Sequence, residues 1–447
     1  MLSACFETAD GHPQSGTTPT AIAAASILPT EAPDPVVIEG SASPVSTATR
    51  PAPLGSPTPI PTITPTPTFP FELSPACGQQ MPLRLPEAES AELNWGATFM
   101  DDELVPEDAK PAIEYLFENP EDVSLVVYRV GYEGVGFYHN AEQPMPLASI
   151  SKVIHLAAYA NAVDQGELDP NQPVPLEALE AFYLPRSDLG AHNSALRELG
   201  RDEITYDDLA WMMIRHSANS STDYFHRLFG QQVIEQTAQE IGLINHTAPC
   251  TYLGRFLVMS LSSSATLSEY ALDIETFGQQ AALVTDLYLN DPSFQDTAQR
   301  SWQRGGQPSL SRQTSFTNSF ETQGTALEYA NLFARIVRGE MGSPTANAIM
   351  QKHLEWPYAE FESNRINYQE IGYKNGRLPG VLTTVYYAWP VWSDRPVVLA
   401  LFYKDMPTAT YQSWRRSFPH DALAHWLMSN PNAIHIMHVL RDNAQAN

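Results

Sequence analysis

Lys152 follows Ser149 by three residues in Ser149-Ile150-Ser151-Lys152, and a second lysine, Lys374, opens Lys374-Asn375-Gly376 far downstream. The chain carries only five lysines, at positions 110, 152, 352, 374 and 404. At a helix start, side chains at i and i+3 share one face, so this spacing sets an amine beside a hydroxyl. Such a pair is a candidate nucleophile and base. A further cluster, Ser217-Ala218-Asn219, offers a second hydroxyl and a carboxamide. Each has an ordinary explanation when taken singly: a solvated helix lysine, Ser and Asn as loop and cap residues, a Lys and a Gly at a strand end. Finding all three in this order, on a helix start, an interhelical loop and a strand, is uncommon.

The elements that must position these residues follow from the apolar pattern. Residues 122–130 read as a strand and 134–139 as its hairpin partner across a Gly-containing turn. After Ser149, the residues Val153, Ile154, Leu156, Ala157, Ala160 and Val163 recur at helical spacing. Ser149 therefore sits where a loop enters a buried helix. Backbone N–H groups and the positive end of the helix dipole meet there and favour a developing oxyanion. Ser217 to Asn219 lie between an apolar helical run over 209–214 and an amphipathic segment beginning near Thr222. Residues 373–380 precede a strand over 381–388, which another strand over 396–403 follows. Lys374 is expected on a strand beside a cleft, with Gly376 letting a ligand approach the backbone. A helix around 106–119 and a helical run over 411–428 flank the whole. The pattern predicts an α/β part and an all-α part, with a sheet built from both ends of the chain and the site in the cleft between them. Residues 183–192 read as a loop that either shapes the cleft rim or is ordinary surface.

This set resembles the penicillin-recognising serine enzymes, and most closely the class A β-lactamases, whose pattern is S-x-x-K, then S-D-N, then K-T-G. The likeness extends to Pro146 and Leu147 before the nucleophile and to the helix start around Thr322 to Leu332, and spans about residues 85 to 430. The resemblance implies a β-lactamase/DD-peptidase-like fold, an antiparallel sheet flanked by helices with an inserted helical subdomain. It also implies roles: Ser149 as nucleophile, Lys152 as base, Ser217 as proton relay to the leaving nitrogen, Lys374 as holder of that hydroxyl and of the substrate carboxylate. Asn219 would hydrogen-bond the substrate amide, and the N–H groups of Ser149 and Arg377 would form the oxyanion hole. Gly376 lies in the same substrate-binding strand motif. The activity implied is opening of β-lactam rings through an acyl-enzyme on Ser149. A peptidoglycan DD-peptidase or esterase, or a non-catalytic wall-binding domain, stays open. Two positions depart from the family pattern, Ala218 for the usual acid and Asn375 for the hydroxyl residue. The family's deacylating Glu-x-x-Leu-Asn carboxylate is also missing: residues 250–258 carry no acid, and a segment that reads as inserted follows to about residue 320. Glu269, Asp273 and Glu275 are the nearest acids downstream, Glu269 and Glu275 weak candidates for the base, and all three read better as solvated helix carboxylates.

Hydrophobic residues make up 43% of the 447, enough for one large core or two modest ones. The formal charge of −26 argues against a nucleic-acid or anionic-membrane surface, since phosphates need a basic patch. The expected substrate is a small β-lactam or a peptidoglycan-derived molecule, with no cofactor, no metal site and a monomeric chain. Residues 11–75 are rich in Pro, Thr, Ser and Ala and read as an extended stalk. In front of it, within residues 1–10, Leu2-Ser3-Ala4-Cys5 resembles a bacterial lipobox, making Cys5 a candidate lipid anchor. The chain is thus expected to be secreted or held at the outer face of the bacterial membrane. Cys77 and Cys250 remain as a candidate disulfide. Residues 76–447 form the expected catalytic domain, its α/β part at about 85–160 and 365–447, its helical part at about 161–364.

Overall fold

The computed structural model describes residues 76–81, 105–261 and 277–446. Cys5, the Pro/Thr-rich segment, Glu269, Asp273 and Glu275 lie outside these residues.

Five strands rich in Val, Leu, Tyr and Phe form one antiparallel sheet: β1 (Val123–Arg129), β2 (Phe137–His139), β3 (Tyr368–Leu378), β4 (Val381–Pro390) and β5 (Val397–Tyr403), in the order β2-β1-β5-β4-β3. The three inner strands are buried almost along their full length, so both sheet faces are covered. The two-residue side-chain period of β5 shows how. Tyr403 meets Tyr115 and Trp414 edge-to-face on one side, with centroids 5.8 and 5.3 Å away, while Phe402 meets Tyr329 on the other at 6.2 Å. Tyr115 belongs to α1 (Lys110–Glu118). The remaining helices that matter for the site are α2 (Lys152–Asp164), α3 (Asn219–Glu240, broken at Gly230), α4 (Tyr252–Leu261) and α5 (Ala326–Val337), the last carrying Tyr329.

Residues 252–261 form α4, and the described residues from 277 to 320 form three further helices, Phe277–Asn290, Pro292–Gln303 and Leu310–Phe320. They gather a small core of their own from Leu253, Phe256, Leu257, Tyr288, Phe294 and Trp302. A Cys77–Cys250 disulfide, across 173 residues of sequence, ties residues 76–81 to the segment leading into α4. Backbone bonds from Gly78 N to Ala248 O (2.7 Å) and Met81 N to His246 O (3.1 Å) reinforce that tie.

Candidate active site

Ser149 lies in a tight 3₁₀ turn, Ala148–Ser151, that runs directly into α2. Ala148 is held at φ 51°, a left-handed backbone that a residue with a Cβ rarely adopts. Its neighbours hold it there: Leu147 N donates to Thr322 O (2.9 Å), Thr383 Oγ1 donates to Leu147 O (2.9 Å), and Tyr252 Oη and Ser151 Oγ each approach Ala148 O to 3.0 Å. The strain presents Ser149, partly exposed, at the mouth of a buried helix.

The second cluster is shaped by a local helix defect. A helix over Tyr206–Trp211, opened by a Thr205–Asp208 capping box, widens into a π turn at Met212–His216. That turn ends with Ser217 in the left-handed region, φ 66°. Ala218 N donates to Met212 O (3.0 Å), and α3 starts at Asn219, three residues before the sequence-based expectation near Thr222. π turns of this kind re-aim side chains at functional sites.

The third cluster sits on β3, the sheet's edge strand, so Lys374 lies on a strand as the sequence suggested, one strand before β4. Lys374 pairs with Val385, Gly376 with Thr383 and Arg377 with Leu382. A Cβ on Gly376 would stand 2.4 Å from Leu147 O and 2.7 Å from Ser149 N. Only glycine lets the edge strand close against the Ser149 backbone amide. Arg377 follows at the next position of that edge.

These elements converge on one hydroxyl. Lys152 Nζ donates to Ser217 Oγ (3.2 Å), Ser217 O (2.5 Å) and Asn219 Oδ1 (2.7 Å). Lys374 Nζ donates to the same Ser217 Oγ (3.1 Å) and to Asn375 O (2.9 Å). Both lysines are enclosed, at 0% and 1% exposure. Burial pulls Lys152 down to about 7; Asp188, Asp223 and Glu321 draw it up and Arg255 draws it further down. Burial, then Lys152 and Arg377, hold Lys374 well below the usual lysine range. Two amines sharing one hydroxyl in such a place are poised to give and take protons.

A family model described as the beta-lactamase enzyme family matches residues 109–416. The chain belongs to that family. Among curated proteins no sequence matches it. Among solved structures it is similar to a β-lactamase from Sphaerobacter thermophilus (17% identity over 72% of this chain and 98% of that one, TM-score 0.44). It is also similar to a β-lactamase from Xanthomonas campestris (12% identity, 70% and 97% covered, TM-score 0.44) and to PBP-A (15% identity, 70% and 96% covered, TM-score 0.41).

Of the residues named from sequence, Ser149, Lys152, Ser217, Asn219, Lys374 and Gly376 come together here, and Arg377 stands beside Gly376 on the strand. Residues 183–192 belong to the rim: Asn219 Nδ2 donates to Ser187 O (3.2 Å), and His192 Nδ1 lies 2.7 Å from Ser220 Oγ. Below the turn lies a polar layer that sequence reasoning missed. Asp223 accepts from Tyr252 N and Leu253 N, both at 2.7 Å, at the start of α4. Burial raises Asp223 to about 7 against the pull of those donors. Arg255 and Glu321 form a buried ion pair. Asp188 accepts from Gly190 N (3.1 Å) and His192 N (3.0 Å). The one available signal was Arg255, a charge inside the apolar run of α4 that demands a buried partner.

Proposed function

We propose that this serine hydrolase opens β-lactam rings in the class A manner, through an acyl-enzyme on Ser149. The observation that carries the reading is the single hydroxyl, Ser217 Oγ, bonded by both Lys152 and Lys374. Lys152 in its neutral form takes the proton from Ser149 Oγ as it attacks the lactam carbonyl. The oxyanion forms against the N–H groups of Ser149 and Arg377 at the edge of β3. Ser217 passes a proton to the departing nitrogen and regains one from a lysine. Asn219 aligns the substrate amide, and Lys374 attracts the carboxylate carried next to the reacting ring. The partly exposed Ser149 beside enclosed amines supports this division of roles.

A second reading, a DD-peptidase or esterase of the same superfamily, is favoured by residues 250–258, where Tyr252 and Arg255 stand and no carboxylate does. Intact-protein mass spectrometry with a penicillin, followed over time, separates the two. A transient adduct marks a β-lactamase, a persistent one a penicillin-binding enzyme, and no adduct a binding domain. Ser149→Ala should remove the adduct with little change in melting temperature, and an adduct that survives on another serine overturns the assignment. We also propose an extracytoplasmic setting with Cys5 as lipid anchor. The Cys77–Cys250 disulfide supports an oxidising compartment. Membrane fractionation of Cys5→Ser checks the anchor: a variant that stays membrane-bound speaks against it.

A further inference from the structure

We infer that Tyr252 is a positioning residue of this site: its ring face holds the ammonium of Lys152, and its hydroxyl ties down the turn that carries Ser149. Tyr252 is the first residue of α4 and is enclosed, at 3% exposure. Lys152 Nζ stands 4.4 Å from its ring centroid and the Arg255 guanidinium 4.6 Å. A ring with two cations against it, away from water, acts through its quadrupole and favours the protonated lysine. Its hydroxyl lies 2.9 Å from Ser151 Oγ and 3.0 Å from Ala148 O, and Ser151 Oγ is itself 3.0 Å from Ala148 O. The two hydroxyls thus form a closed triangle on the carbonyl of the strained residue just before the nucleophile.

The α4 start that delivers Tyr252 is itself fixed, by the Asp223 carboxylate on its first N–H groups and by the disulfide at Cys250 two residues earlier. Other titratable groups also act on Lys152. Asp188 faces it from the rim loop, Asp223 from α3, Arg255 from α4, Glu321 from beyond the helix ending at Phe320, Lys374 from β3 and His155 from its own helix. The ammonium also donates to the neutral Ser217 O, Ser217 Oγ and Asn219 Oδ1, and the ring differs from them in meeting it with an aromatic face. Its contribution is therefore separable by changing the ring's charge distribution and leaving its shape alone. The functional part of this inference rests on the acyl-enzyme reading above, whereas the contact between ring and amine does not.

The experiment exploits the scarcity of lysine: with five in the chain, lysine labelled at Cε gives five resolvable NMR signals. Loss of one signal in Lys152→Arg assigns Lys152. The titration is then compared in the wild type, in Tyr252→Phe, and in a chain with pentafluorophenylalanine at position 252. The Phe variant should keep the wild-type midpoint, and the fluorinated ring should lower it by roughly 0.5 to 1.5 pH units. Equal midpoints in the Phe and fluorinated chains overturn the role of the ring. The rate of penicillin acylation, measured on the same chains, should fall about threefold to tenfold in Tyr252→Phe as the turn loses one tie. An unchanged rate overturns the role of the hydroxyl. If the wild type forms no adduct the acyl-enzyme reading fails, and the lysine titration still decides the contact.

Discussion

A lysine that is fully enclosed and shares a hydroxyl with a second lysine does not keep its ordinary proton affinity. Lys152 is drawn to about 7 from the usual 10.5, chiefly by burial. The sign is fixed: below about 7 the amine is charged and cannot accept the Ser149 proton, and above it the neutral base prevails. The acylation rate constant should therefore rise through about pH 7 and level off above, read from the single-turnover rate between pH 5 and 9. A flat profile removes Lys152 as the base. Burial also holds Lys374 well below the usual lysine range, so an arriving substrate carboxylate, as an opposite charge, favours its charged form and gains a charged hydrogen bond. Lys374→Ala should raise KM about tenfold to a hundredfold for carboxylate-bearing substrates and much less for a neutral ester. Equal effects on both show that charge recognition is not its role. The residues in these arguments were visible in the sequence because hydroxyl and amine recur at fixed short spacings. Tyr252, Asp223, Asp188 and Glu321 were not, because four segments far apart in sequence supply them and only tertiary packing brings them to Lys152.

Among the elements, the strands and α2 were legible from their apolar periods, and the sites of conflict were backbone irregularities. The π turn at Met212–His216 and left-handed Ser217 have no signature in residue type, so the start of α3 was placed late. The helical run over 411–428 is two helices, Thr408–Ser417 and Pro419–Ser429, because Phe418 turns left-handed, at φ 52°, in front of Pro419. The edge strand shows how backbone contact decides function. At Gly376 an added methyl would meet Leu147 O and Ser149 N, two backbone atoms that cannot swing aside. Gly376→Ala should push β3 away from Ser149. The expected cost is about 1–3 kcal/mol in stability, from urea unfolding, and roughly a hundredfold or more in acylation rate. Wild-type acylation in this variant shows that the edge strand does not form the oxyanion site.

At the scale of the whole molecule, the sheet from both chain ends, the intervening helices and the described helices over 252–261 and 277–320 place Ser149 above a layer whose acids are already engaged. Asp223 is held by the N–H groups of Tyr252 and Leu253, Glu321 by Arg255, and Asp188 by the N–H groups of Gly190 and His192. Among the described residues, then, the carboxylates nearest Lys152 serve the architecture and are not free to draw a proton from water. On the proposed mechanism, hydrolysis of an acyl-enzyme on Ser149 would therefore find, among the described residues, no source of the hundredfold to ten-thousandfold help, in order of magnitude, that a positioned general base supplies. Mixing with a chromogenic β-lactam should give a burst of one equivalent followed by a slow phase. Rapid linear turnover without a burst overturns this expectation. Glu269→Gln is then the variant to make: loss of turnover in it, with the burst restored, identifies the acid that reaches the acyl group.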